Sequence, residues 1–222
     1  MKKEMKEKLF LAAVLFSAAV ILTVLVCTVD VAEIGPNGTS IGLSHLNQWA
    51  FEALGVNMVW YTVTDWLGLT AILSGCIFAW TGLTQWIRRR SLLKVDRNIL
   101  LLGGLYLAAA AIYVLFELVV INYRPVVLPG CESPEASFPS SHTMLVCTLM
   151  GSAIMTISDY VRNASARIAL QAVAGAVIGI TILGRLVSGV HWLTDIIAGV
   201  LISASLLALY AALASEPEDH GV

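Results

Sequence analysis

Charge is scarce in this chain. Only 13% of its 222 residues are Asp, Glu, Lys or Arg, where a water-soluble domain carries about a quarter. No polar stretch is long enough to form a soluble domain, and there is no internal repeat or low-complexity tract. The four cysteines, Cys27, Cys76, Cys131 and Cys147, have no metal-ligand spacing, and only Cys131 falls in a clear outer loop. Free thiols are therefore expected, with neither a metal centre nor a structural disulfide. A cleavable signal peptide is not expected either. Lys2, Lys3, Lys6 and Lys8 precede a first apolar run that is too long, and no small-x-small site follows it. Val26 also stands where a lipoprotein signal ending at Cys27 wants a small residue.

Apolar sequence is what the chain has in abundance. It is 58% hydrophobic, with a mean hydropathy of +0.84. Runs long enough to cross a bilayer recur at roughly 9–29, 58–87, 98–121, 141–160, 167–184 and 191–214. Lipid offers backbone groups no hydrogen-bond partner, so such spans are helical. The expected fold is an all-α polytopic membrane protein of six transmembrane helices, one domain over 1–222 with short cytoplasmic tails at 1–8 and 215–222.

Orientation follows from the basic residues. With the N-terminus in the cytoplasm, the tail lysines, Arg88, Arg89, Arg90, Lys94 and Arg97 after span two, and Arg162 and Arg167 after span four all lie inside. That accounts for 11 of the 13 Lys and Arg. Arg124 and Arg185 are left on the outer side, and topology does not explain them.

The same outer layer gathers other polar residues. Span three ends in INYRPVVLPG, span four begins with PSSH, and span six is reached through GRLVSGVHWLTD. Arg124, His142, Arg185, His191 and Asp195 therefore converge, although 71 positions separate Arg124 from Asp195. His191 and Asp195 are four apart, which on a helix places them on one face. The carboxylate can then hold one imidazole nitrogen and present the other as nucleophile or base. Two arginines offer planar, permanently charged forks to phosphate oxygens. Pro139, Ser140 and Ser141 open span four, where free backbone N–H groups and the helix dipole favour an anion. His142 in the first turn can protonate a leaving oxygen. Each piece also has a plain reading: an N-cap serine, a snorkelling arginine, a satisfied His–Asp pair. Ionisable residues within spans are costly, however, and five in one layer point to a site.

These residues resemble the type 2 phosphatidic acid phosphatase (PAP2) superfamily, whose three motifs are KxxxxxxRP, PSGH and SRxxxxxHxxxD. The first ends here in Arg124 and Pro125, and the second reads Pro139, Ser140, Ser141, His142 with serine in the glycine position. The third keeps its spacing through Arg185, His191 and Asp195, with Gly184 replacing its leading serine. The resemblance implies a metal-independent lipid phosphatase of the membrane branch, working at the outer ends of helices three, four and six and needing no cofactor. It makes His191 the phosphorylated nucleophile, Asp195 its partner and His142 the general acid. Arg124, Arg185, Ser140 and Ser141 then hold the phosphate.

The motif lysine, seven residues before Arg124, is Glu117 here. A carboxylate facing the phosphate repels it. The alternatives are that Glu117 pairs with Arg124 and orients it, binds an amine on the substrate head group, or is protonated.

Other expectations are smaller. Leu46, Trp49, Ala50, Ala53 and Leu54 have helical spacing, with Ser44 as a cap, and suggest a short interfacial helix. Trp60, Tyr61 and Trp66 suit an outer aromatic belt, and Trp86 marks the inner edge. Asp65 is a candidate partner for an arginine or an interfacial hydrogen-bonding residue. The acidic tail from Glu216 to His220 is expected to be a disordered cytoplasmic end. The expected activity is hydrolysis of a lipid phosphate monoester or diphosphate: phosphatidic acid, phosphatidylglycerophosphate or an isoprenyl diphosphate. The expected partners are lipids, a membrane lipid surface and a lipid phosphate, and not nucleic acid. A lipid phosphotransferase and a catalytically weak lipid-phosphate binder are the alternatives.

Overall fold

The computed structural model describes residues 2–215; the acidic tail from Glu216 onward lies outside them. Seven α-helices follow in order: α1 Lys2–Thr28, α2 Ser44–Leu54, α3 Met58–Arg89, α4 Arg97–Leu118, α5 Ser141–Tyr160, α6 Ala164–Ser188 and α7 Leu193–Ala214. All but α2 are long and apolar enough to span a membrane. This is a polytopic membrane protein, and the spans fall where the apolar runs put them.

Helices α5 and α7 form the centre. In their most apolar windows 61% and 50% of residues are buried, against 17–22% in the other four spans. The exposed Leu, Ile, Val and Trp side chains of α1, α3, α4 and α6 are the lipid-facing surface of such a bundle. Contact between spans relies on small residues and hydroxyls, since lipid tails are as apolar as leucine and provide no hydrophobic drive. Ala12, Ala19 and Val26, seven apart, form the buried stripe of α1. Alongside it, Ser205 on α7 donates to the Ala12 carbonyl at 3.0 Å. On α5, Ser152 meets the Tyr106 hydroxyl at 3.0 Å and Thr156 meets that of Tyr210 at 2.8 Å.

Local chemistry explains where the helices stop and start. Asn57 caps α3, its side chain accepting from Val59 N at 3.1 Å. Asn163 caps α6 by accepting from Ala166 N at 2.9 Å. Helix α6 ends at Gly189, whose φ of +68° and close approach to the Gly55 carbonyl leave no space for a side chain. That sharp turn brings the chain to His191 within two residues. The Lys8 ammonium donates to Ser215 Oγ at 2.7 Å, so the start of α1 and the end of α7 lie together. The starts of α3, α5 and α7 and the ends of α4 and α6 gather at the opposite end of the bundle.

One expectation is corrected near that end and another is extended. The short amphipathic helix exists as α2, but Ser44 is its first residue and the cap position is Leu43, in a left-handed conformation. Asp30 does the capping from a distance, accepting from Ser44 Oγ and His45 N at 2.9 Å each. These bonds and the His45 imidazole hold the Asp30 carboxyl below its usual range. Helix α2 is also more than interfacial. Buried Asn47 accepts from Thr194 N at 3.1 Å and donates to Thr194 Oγ1 at 3.0 Å, fastening α2 to the first turn of α7.

Candidate active site

The residues singled out in the sequence meet at this end. Three elements carry them: the loop between α4 and α5, the first turn of α5, and the turn joining α6 to α7. The loop doubles back on itself. Arg124 N donates to the Glu135 carbonyl and Ser137 N to the Asn122 carbonyl, both at 2.9 Å. This pairing sets the Arg124 side chain beside Glu135, to which its Nε donates at 3.1 Å. It also aims the Ser137 carbonyl at His191. The start of α5 is tied to α7 by Ser140 N donating to the Asp195 carbonyl at 2.9 Å.

His191 does not lie on the helix, as the four-residue spacing to Asp195 suggested. It precedes α7 by two residues, with Trp192 at the cap position. Asp195 closes that cap, its Oδ2 accepting from Trp192 N at 2.9 Å. The same oxygen is 3.7 Å from His191 Nδ1, beyond hydrogen-bond range. The bonded partner of Nδ1 is the Ser137 carbonyl, at 3.1 Å. A carbonyl only accepts, so Nδ1 carries the hydrogen and Nε2 keeps its lone pair. Nε2 is 3.4 Å from the Arg124 guanidinium. Burial, then the charges of Arg124 and Arg185, push the His191 pKa well below 6.5, against the opposing pull of the Ser137 carbonyl. At neutral pH the ring is an uncharged imidazole with a free nitrogen beside an arginine. The indole Nε1 of Trp192 donates to the Tyr123 carbonyl at 2.7 Å, bracing the turn from the other side.

Arg185 is the largest side chain with no exposure at all. One terminal nitrogen pairs closely with Asp65 on α3, and the ring of Tyr61 lies 5.0 Å beneath the guanidinium carbon. Nε and the other terminal nitrogen are buried and have no hydrogen-bond partner among the described residues. Orphaned N–H donors of a buried cation cost several kcal/mol, on the order of 1–3 for each unmade bond and more for charged groups. Asp65 Oδ1 is also 3.1 Å from His142 Nε2, so one carboxylate holds the arginine and the second histidine together. Asp65 is thus the arginine's partner. Tyr61, expected only in an aromatic belt, packs on the same cation. Gly184, where the motif has serine, has its reason here: a side-chain carbon would come within 2.5 Å of Thr64 and 3.0 Å of Trp60.

The serines differ in placement. Ser140 is fully buried, its hydroxyl accepting from Thr143 Oγ1 at 3.0 Å. Ser141, the first residue of α5, lines two cavities. One is a groove of about 420 Å³ that runs from Asp65, Ser141 and His142 down between α3, α4 and α5 to Ile72, Tyr106 and Leu149. The other is a small recess where Ser141 faces His191, Ser137, Tyr113 and Glu117. Arg124 takes Glu135, not Glu117, as its carboxylate partner. No group of three or more His, Cys, Asp or Glu with metal-binding geometry occurs among the described residues.

Three residues of this constellation were beyond spacing arguments. Ser137 acts through a backbone carbonyl, Glu135 sits in an irregular loop, and Asp65 is 120 positions from Arg185. A lone carboxylate near a span end was the one signal available for Asp65.

Comparison with known proteins bears on the family and the fold. The family model described as the PAP2 superfamily matches residues 98–217. Among solved structures, the chain is similar to a transmembrane PAP2-type phosphatidylglycerolphosphate phosphatase from Bacillus subtilis. The TM-score is 0.60 at 17% identity, over 90% of this chain and 93% of that one. No curated protein matches by sequence.

Proposed function

The chain belongs to the PAP2 superfamily, and from that premise we propose that it is a membrane lipid phosphatase working through phosphohistidine without a metal. The observation that carries this reading is Arg185: a fully buried guanidinium with two nitrogens that have no hydrogen-bond partner among the described residues, within electrostatic reach of His191. A phosphate oxyanion supplies the acceptors that those donors lack.

The steps follow from the side chains. The phosphate lies between Arg124, Arg185 and the free N–H groups at the start of α5. The Nε2 lone pair of His191 attacks phosphorus, the bond from phosphorus to the lipid oxygen breaks, and that oxygen takes a proton from His142. Water then attacks the phosphorus, returns a proton to His142 and breaks the P–N bond. Ser137 fixes the imidazole, and Asp195 lies 3.7 Å away to stabilise the charge that develops on it. Asp65 holds His142 and Arg185 in register. Stabilising charge on the equatorial oxygens is the main task in such a transfer.

The groove supports a lipid substrate. Apart from Asp65, Ser141 and His142 at its upper end, it is mostly apolar, as an acyl or isoprenyl tail requires. Phosphatidic acid, phosphatidylglycerophosphate and isoprenyl diphosphates are the candidate substrates. The charge bias of the loops puts the site on the outer face and both termini in the cytoplasm.

The test is phosphate release in mixed micelles containing EDTA, from a panel of lipid phosphates and diphosphates. His191→Ala should lower turnover by about 10³-fold or more, while the protein elutes from size exclusion as the parent does. Substantial turnover by the variant would exclude His191 as nucleophile. Activity that EDTA abolishes would exclude the metal-free mechanism.

A further inference from the structure

Glu117 stands where phosphate chemistry wants a cation, and the structure removes the simplest account of it. Arg124, the arginine it could have oriented, is held by Glu135 at 3.1 Å. Arg185 is likewise held by Asp65. Both phosphate-binding cations therefore reach the site already matched by a carboxylate. Glu117 adds a negative charge, and it forms no ion pair among the described residues; Tyr113, one turn before it on α4, lines the same recess. A dianionic phosphate placed among these groups meets no net positive charge, and Glu117 still calls for a positive charge of its own.

The recess shows where that charge belongs. Glu117 is its one carboxylate; Tyr113, Ser137, Ser141 and His191 supply the other polar lining, and neither lysine nor arginine contributes. The space within is about 10 Å³, room for one group the size of a water molecule. A primary ammonium has that size and seeks several oxygen acceptors. Tyr113 and Ser141 line both the recess and the tail groove. The recess thus lies between the proposed nucleophile and the start of the lipid tail.

We infer that the substrate is a lipid phosphate with a free amine on the carbon next to the phosphorylated one, and that Glu117 receives its ammonium. This rests on the phosphatase reading above and narrows it to phosphorylated long-chain amino alcohols. The ammonium neutralises Glu117, and its position between phosphate and tail matches the order of recess and groove. A divalent cation is the other partner a carboxylate can take. Such ions want several hard oxygen ligands, and the recess has one carboxylate to offer.

The experiment compares sphinganine 1-phosphate with N-acetylsphinganine 1-phosphate in EDTA-containing micelles, with phosphatidic acid as an amine-free reference. The parent protein should cleave the free amine with at least tenfold higher kcat/KM. Glu117→Gln should bring the two within about twofold, and Glu117→Lys should reverse the order. A purely steric penalty from the acetyl group would persist in Glu117→Gln, so a preference that survives that substitution overturns the inference. So does equal cleavage of both probes by the parent protein, or cleavage of phosphatidic acid alone; either leaves the phosphatase reading standing. If no lipid phosphate of any kind is cleaved, that reading falls and this one with it.

Discussion

Carboxylates and arginines meet at both ends of this bundle, under opposite conditions. At the end where α3 turns into α4, Asp96 accepts from Arg89 at 2.7 Å and from Gln85 at 2.6 Å, with the Tyr160 hydroxyl at 3.4 Å. The Arg89 and Asp96 side chains are 43% and 40% exposed, and the loop they hold is short. At the other end Arg185 has no exposure, Asp65 is shared between two partners, and polar atoms of Arg185 and Asp195 have no hydrogen-bond partner among the described residues. The first cluster is wet and satisfied. The second buries its arginine completely and leaves it incompletely bonded. Charges that water already serves add little to stability and need no ligand. Charges buried with unmet bonds cost stability, and they persist where a bound group completes them. Burial and satisfaction together, more than the presence of charge, separate the site from the scaffold.

The comparison is broken most directly at Arg185. Arg185→Met removes the buried charge and its orphaned donors while keeping volume. Asp65 is left without its arginine, but at 38% exposure it retains water and His142. Replacing a buried charge by an apolar side chain is often neutral or stabilising when the partner is not stranded. Phosphate release should therefore fall by about 10²–10³-fold, while the melting temperature in detergent stays the same or rises. A large fall in melting temperature would mean that Arg185 is part of the scaffold.

Asp65→Asn sharpens the same point with a smaller effect. The amide keeps the shape but loses the charge that holds Arg185 and His142 at one oxygen. On the roles proposed for His142 and Arg185, their displacement should lower kcat on the order of 10- to 100-fold, with KM little changed. A variant in which KM rises and kcat holds would make Asp65 a substrate-binding residue instead.

Much of this was legible in the chain before any coordinates. Lipid forces long apolar helices, so the six spans could be read to within a few residues at most ends. The five charged or imidazole side chains at the span ends announced a site because hydrocarbon tolerates them poorly. What stayed hidden depends on atoms that residue spacing does not carry. The partner of His191 Nδ1 is the backbone carbonyl of Ser137, and no side-chain pattern reveals it. The four-residue spacing of His191 and Asp195 suggested a shared helical face, whereas Trp192 at the cap leaves His191 outside the helix. Glu135 could not be matched to Arg124 without the fold-back of its loop. Asn47 reads as one more polar residue of α2 until Thr194, 147 positions on, is found against it.

The smallest expected effect tests the satisfied end. Asp96 feels some burial, which raises its pKa. The hydrogen bond and charge of Arg89 outweigh this, with Gln85 and Tyr160 adding to them, and hold the carboxyl below its usual value of 3.8. A carboxyl lowered on folding adds stability above its unfolded pKa, and that stability is lost as pH falls through the folded value. The contribution is therefore complete at neutral pH and begins to fade only below about pH 4, as the pH falls toward the lowered folded value. Solvent screening keeps it small, at roughly 1 kcal/mol or less. Asp96→Asn should lower the melting temperature slightly at pH 7, by progressively less as the pH falls below about 4, and leave phosphate release at the parental rate at neutral pH. A substantial loss of activity would show that the two ends are coupled through α3 and α4, and that the division into site and scaffold drawn from burial is too sharp.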